Sequence, residues 1–201
     1  MQPWYPIETQ RLLLREFRPA DEADIHDYAS DPEVVRYTSW GPNTREVTRT
    51  VLRGWLKEQE VGLEHSVTLA IELRSEARLI GAIRIGVKDE RNRTADFGYT
   101  LARRYWSRGY ATEAARGLID TVFRKLGIHR IYATCDTRNI ASFRVMEKLG
   151  MRREATFEKD VIQKGEWRDS YLYAILADEW IAREEVRAAA AEAFGSRAAG
   201  A

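Results

Sequence analysis

The stretch RRYWSRGYATEAARGLIDTVF, Arg103 to Phe123, decides how this chain is read. It follows a strand-like run, TADFGYTLA, and opens a helix. Arg103, Arg104 and Arg108 crowd the short connection, and Gly109 ends it. From Gly109 to about Lys125 the positions Ala111, Ala115, Leu118, Ile119 and Val122 recur on one helical face. The first turn of a helix leaves backbone N–H groups without partners and carries about half a positive charge. Gly109 lets a ligand approach the backbone there, and Ala111 keeps the first turn unobstructed. The stretch is therefore built either to hold an anion or, more plainly, to be a solvated arginine loop before an ordinary helix. It has neither the P-loop spacing G-x-x-x-x-G-K-[ST] nor the dinucleotide fingerprint G-x-G-x-x-G.

Around this stretch the pattern alternates between two periods. RLLLREF (Arg11–Phe17) is a short strand, and Pro19, Asp21 and Glu22 open a helix that Asp31-Pro32 breaks. WGPN is a turn cluster, after which Thr44 caps a helix with Val47, Val51, Leu52 and Trp55 at helical spacing. SVTLAIEL and RLIGAIRIGV are strands joined by RSEA, and TADFGYTLA is a third. Beyond the central helix, GIHRIYATCD is a strand and NIASFRVMEKLG a helix with an asparagine cap and a glycine end. EATFEKDVIQKGEWRDSYLYAILA is two strands around QKGE. The order is strand, two helices, three strands, helix, strand, helix, two strands. That is a single α/β (α+β) domain over residues 1–181, a mixed central sheet of about seven strands flanked by helices. An Ala/Arg-rich extension, residues 182–201, follows as partly helical or disordered chain.

With 201 residues, 44% hydrophobic and 31% charged, the chain can bury a real core. A net charge of +1 argues against an electrostatic grip on nucleic acid. The single cysteine, Cys135, cannot form an intramolecular disulfide and reads as a small buried hydrophobe. The opening MQPWYPIETQ lacks a basic region followed by an apolar one, and YLYAILA is too short to span a bilayer. The expectation is a soluble cytoplasmic protein with no membrane partner. His26, His65 and His129 show no metal-ligand spacing, so no metal is expected.

Trp106, Ser107, Arg108, Gly109, Tyr110 and Ala111 resemble the acetyl-CoA motif of the GNAT N-acetyltransferases, usually written Q/R-x-x-G-x-G/A. Three further segments agree: ETQRLLLREFRPADEADIHDYASDPEVVRY, NIASFRVMEKLGM and GEWRDSYLYAIL are similar, in family order, to the RimJ/RimL-like branch. The likeness runs from about Ile7 to Trp180. It departs at Trp106, where the general motif has Gln or Arg, and at Ser107, where the branch often has glycine. Many GNAT enzymes carry a tyrosine acid seven residues after the helix asparagine; here that position is Met146, and the branch points to Ser142 instead.

The resemblance implies direct transfer of acetyl from acetyl-CoA to an amine. Backbone amides from Trp106 to Thr112 would bind the pyrophosphate. The strand edge Leu101, Ala102 and Arg103 would pair with the pantetheine arm, and the Leu101 N–H would polarise the thioester carbonyl. Asn139 and Ser142 would sit near the pantetheine and the sulfur. Asp96, whose strand leads to the thioester, is the first candidate base and Asp169 the second; the plain alternative makes each a structural anchor. Trp40 and Tyr37 are candidate acceptor contacts. Arg144 and Lys148 meet the 3′-phosphate or form a solvated face, and Glu113 is a partner for the helix dipole. The branch implies a peptide N-terminus or small amine as acceptor, and admits a homodimer. A reading from another class is a CoA-binding sensor or interaction module without catalysis, favoured by Met146.

Overall fold

The structure is a computed structural model that describes residues 4–61 and 66–198. Alternating apolar runs become the strands β1 (Ile7–Glu8), β2 (Leu12–Arg15), β3 (Ser66–Leu73), β4 (Arg78–Asp89), β5 (Thr94–Leu101), β6 (Arg130–Asp136), β7 (Arg152–Gln163) and β8 (Glu166–Leu176). They form one mixed sheet in the order β1-β2-β3-β4-β5-β6-β8-β7. The sheet thus has eight strands rather than about seven. The extra one is β1, two residues long, too short for alternation to reveal.

The helices are α1 (Glu22–Ala29), entered through a 3-10 turn over Pro19–Asp21, α2 (Arg45–Val61), α3 (Tyr110–Leu126), α4 (Ile140–Lys148) and α5 (Ala177–Ala198). Thr44 does cap α2: its hydroxyl accepts the Val47 N–H at 3.3 Å. The central helix buries Ala114, Ala115, Leu118, Ile119, Val122 and Phe123, a wider stripe than expected, with Ala111 half-buried. The C-terminal segment enters α5 at Ala177, and Trp180, 1% exposed, pins that helix to α3 through Phe123 and an indole bond to Asp120.

β1 to β5 run antiparallel in succession, as do β6, β8 and β7. The two groups meet at β5 and β6, which are parallel and joined by the α3 crossover. That seam is short. Its pairs are Thr94 with Arg130, Ala95 with Ile131, and Asp96 with Tyr132, and pairing stops there. Beyond it β5 continues to Leu101 and β6 to Asp136 without touching as a ladder. The sheet opens at the carboxyl ends of two parallel strands, where open α/β sheets place their ligands.

Candidate functional site

The opening has a built edge. Ala102 donates its N–H to the Ile80 carbonyl at 2.9 Å, and Leu101 stands opposite Gly81. Antiparallel pairing alternates, so the N–H and C=O of Leu101 turn away from β4 and into the gap. Tyr99, two residues back, shares that orientation. The Leu101 carbonyl is already taken: the Trp106 indole donates to it at 2.8 Å. Ala102 and Arg103 spend their carbonyls on Tyr105 and Trp106 in the following turn. Of the strand edge expected to pair with pantetheine, the Leu101 N–H points away from β4 and into the opening.

The loop after β5 brings up the start of α3. Ser107 (φ +58°) and Gly109 (φ +81°) are both left-handed, and Gly109 is the N-cap residue with no side-chain cap. The first helical bond runs from Glu113 N to Gly109 O at 3.0 Å. The N–H groups of Tyr110, Ala111 and Thr112 therefore have no intrahelical acceptor, at the helix end that follows directly on the carboxyl end of β5. Two of the three arginines are spent elsewhere. Arg103 pairs with Asp31 at 2.9 Å and Arg104 with Asp27 at 3.2 Å, tying the loop to the end of α1. What remains for a pyrophosphate is backbone donors, a helix dipole and the exposed Arg108, whose guanidinium lies over the Tyr105 ring, 5.9 Å from its centre; this is a set such an anion fits.

Facing α3 across the gap is α4. Asn139 caps it, its side chain accepting the Ser142 N–H at 3.2 Å. The Ser142 side chain lies close enough to the phenol of Tyr99 on β5 and the thiol of Cys135 on β6 to favour the ionised form of each. Burial pushes Tyr99 up to about 12, against the opposing effect of Ser142. Burial likewise pushes Cys135 up to about 11. Both groups stay protonated at neutral pH. Tyr99 was not singled out from the sequence, since a tyrosine on an alternating strand looks like core; only the strand register reveals its neighbours. Met146 is 1% exposed and lies in the core.

The two candidate bases are placed differently. Asp96 lies in the seam itself, opposite Tyr132, five positions before Leu101 and so roughly 16 Å of strand away. Its carboxylate takes two bonds from Arg84 at 3.2 Å and a pairing with Lys88 at 3.5 Å. The structure does not bring Asp96 to the Leu101 level; it anchors β4 to β5. Asp169 stands at the open end. Five positions beyond Tyr132 is Thr137, and its N–H donates to the Asp169 carbonyl at 3.1 Å. Asp169 thus flanks the same level of the gap as Leu101. One carboxylate oxygen accepts the Lys159 N–H at 2.9 Å, holding an irregular stretch of β7.

The loop between α1 and α2 closes this end. Lys164, at the tip of the β7–β8 hairpin, donates to the Val35 carbonyl at 2.6 Å. Tyr37 lies beneath the guanidinium groups of Arg36, 5.5 Å from the ring centre, and Arg138, 5.9 Å. Arg138 in turn holds Asp136, whose side chain is 1% exposed, and its hydrogen bond is the leading reason that carboxyl titrates below its usual range. Trp40 is 39% exposed on the same loop. Arg144 pairs with Glu147 at 2.8 Å, and the Lys148 carbonyl accepts from Arg116. His26 bonds Thr48 and His129 is exposed; His65 lies outside the described residues.

Comparison with known proteins agrees with this geometry. Residues 11–152 match the family model described as "Acetyltransferase (GNAT) domain". The chain is 38% identical over 174 residues to the uncharacterized N-acetyltransferase YnaD of Bacillus subtilis, covering 87% of this chain and 98% of that protein. It superimposes on a GNAT-family acetyltransferase from Bacillus anthracis with a TM-score of 0.77 at 36% identity, over 86% of this chain and 98% of the other. The Mycobacterium smegmatis RimJ structure, in complex with CoA-disulfide, gives 0.76 at 27% identity, over 89% and 91% of the two chains. A parallel seam that parts at its carboxyl end, an uncapped helix start just after it, and this match over most of the chain have one explanation: the chain belongs to the GNAT family of acetyltransferases.

Proposed function

We propose that the protein moves acetyl from acetyl-CoA directly to a primary amine, a peptide α-amine or a small amine, in the gap between β5 and β6. The observation that carries this is the Leu101 N–H, turned into the opening at the level of Asp169 and beside the uncapped start of α3. Amides of the stretch 107–112 hold the pyrophosphate, the Trp106 N–H being already given to the Arg103 carbonyl at 3.1 Å, and Asn139 and Ser142 flank the pantetheine end. The Leu101 N–H donates to the thioester oxygen as it gains charge, a single donor of the kind worth roughly 3 kcal/mol. The new C–N bond forms as the C–S bond breaks. The amine proton leaves to Asp169 or a water, and the sulfur departs as a thiolate, a fair leaving group since its thiol has a pKa near 8.5, stabilised by a hydrogen bond from the Ser142 hydroxyl and protonated from solvent.

Direct transfer fits Cys135. A thiol held near 11 by burial is a poor acyl carrier, which would need its thiolate. The amine sets how much help a base must give. An α-amine with pKa near 7.8 costs about 1 kcal/mol to deprotonate at pH 7, a lysine about 4.6 kcal/mol. Asp169 is exposed and accepts one hydrogen bond, from the Lys159 N–H, which leaves its other oxygen for an amine proton. The decisive experiment measures thiol release from acetyl-CoA with a panel of terminal peptides and small amines. Turnover with an α-amine acceptor is expected; tight CoA binding with no amine acetylated across the panel would replace this reading with the CoA-sensor one.

A further inference from the structure

The turn between β1 and β2 reaches across the molecule to the loop before α3. The Glu113 carboxylate accepts from the Thr9 hydroxyl at 2.7 Å, from the Arg11 N–H at 2.7 Å and from Arg11 Nε at 2.6 Å. The same guanidinium donates through Nη1 to the Arg108 carbonyl at 3.1 Å. It also lies over the Tyr110 ring, 4.4 Å from its centre. One side chain thus touches the residue before Gly109, the residue after it, and the end of the first helical turn.

Two consequences follow from peptide geometry and charge. The Arg108 carbonyl and the Gly109 N–H belong to one planar peptide and point in opposite directions. Fixing the carbonyl toward Arg11 fixes the Gly109 N–H away from it. Gly109 itself imposes little restraint on that plane, since glycine tolerates many backbone conformations. The second consequence concerns Glu113. A carboxylate in the first turn is attracted to the same helix end that a phosphate would occupy. Burial alone would raise its pKa, but the bonds from Thr9 and Arg11 outweigh this and hold it ionised and turned aside.

We infer that Arg11 is a positioning residue for the acetyl-CoA pyrophosphate: through Arg108 and Glu113 it fixes the direction of the loop amides and keeps the competing carboxylate away from them. The inference rests on the reading of the preceding subsection. Titration calorimetry with CoA and with dephospho-CoA, which keeps the pyrophosphate and lacks the 3′-phosphate, tests it. Arg11→Met should weaken both ligands about tenfold and equally, the scale of one lost charge-assisted bond. In a Glu113→Gln background, with no competing carboxylate left to hold aside, Arg11→Met should cost less affinity than it does alone. Arg11→Lys, which keeps the charge and most of the stem, should show the same loss, and serves if Arg11→Met fails to fold. Unchanged affinity in a variant with lowered melting temperature would make the contact structural only. A loss confined to CoA and absent with dephospho-CoA would make Arg11 a direct 3′-phosphate ligand. Either result overturns the proposal. Failure of the unaltered protein to bind CoA would instead overturn the acetyltransferase reading beneath it.

Discussion

Ser142 illustrates how three elements fix one hydroxyl. Its N–H is held by Asn139, and its side chain lies between a phenol and a thiol that both stay protonated. On the proposed reading that hydroxyl steadies the sulfur as it leaves. Ser142→Ala should therefore lower kcat by about tenfold or more while changing CoA affinity less than about twofold. Tyr99→Phe should act in the same sense with a smaller effect, because it loosens the hydroxyl without removing it. Steady-state kinetics and calorimetry on both variants check this; equal turnover in Ser142→Ala would leave Ser142 a helix residue only. Ser142 was readable in advance through the NIAS motif. Tyr99 was not, because its importance comes from which strand stands opposite it.

At the level of elements, the start of α3 depends on Gly109. A Cβ there would meet only the Arg11 guanidinium, at 3.4 Å, so crowding is not what excludes larger residues. The left-handed φ of +81° is, and a β-branched residue is the most strained there. Gly109→Val should abolish measurable CoA binding and lower the melting temperature. Gly54, in the middle of α2 with nothing within 4 Å of an added Cβ, is the contrast. Gly54→Ala should stabilise the protein by about 1 kcal/mol and leave CoA affinity unchanged. Thermal melts with calorimetry read both outcomes. Caps such as Thr44 and Asn139, and the two-residue turn at Lys164-Gly165, were legible because their causes are local. The ties from Arg103 and Arg104 to α1 were not: both partners lie about seventy residues upstream, and only the folded chain joins them.

For the whole molecule, periodicity reveals which segments are strands and says little of how they are ordered. The β5–α3–β6 unit announces a parallel crossover, but the length of the seam is set by where the strands diverge, which no alternation records. Asp96 shows the cost of that gap. Its strand does lead to Leu101, yet its own position in the seam gives it to Arg84 and Lys88. Asp169, far along the chain, is brought level with Leu101 by the pairing of β8 with β6.

The short seam has a further consequence, for handling the protein. Past Asp96 and Tyr132 the sheet has two inner edges with unpaired backbone groups, besides the outer ones every open sheet has. Natural proteins shield strand edges because another chain can pair with them. On the proposed reading the shield is CoA itself, so material stripped of CoA should self-associate on concentration or warming, and added CoA should suppress it. Light scattering of the same preparation with and without CoA measures the difference; identical curves would show that the walls of the gap protect these edges unaided.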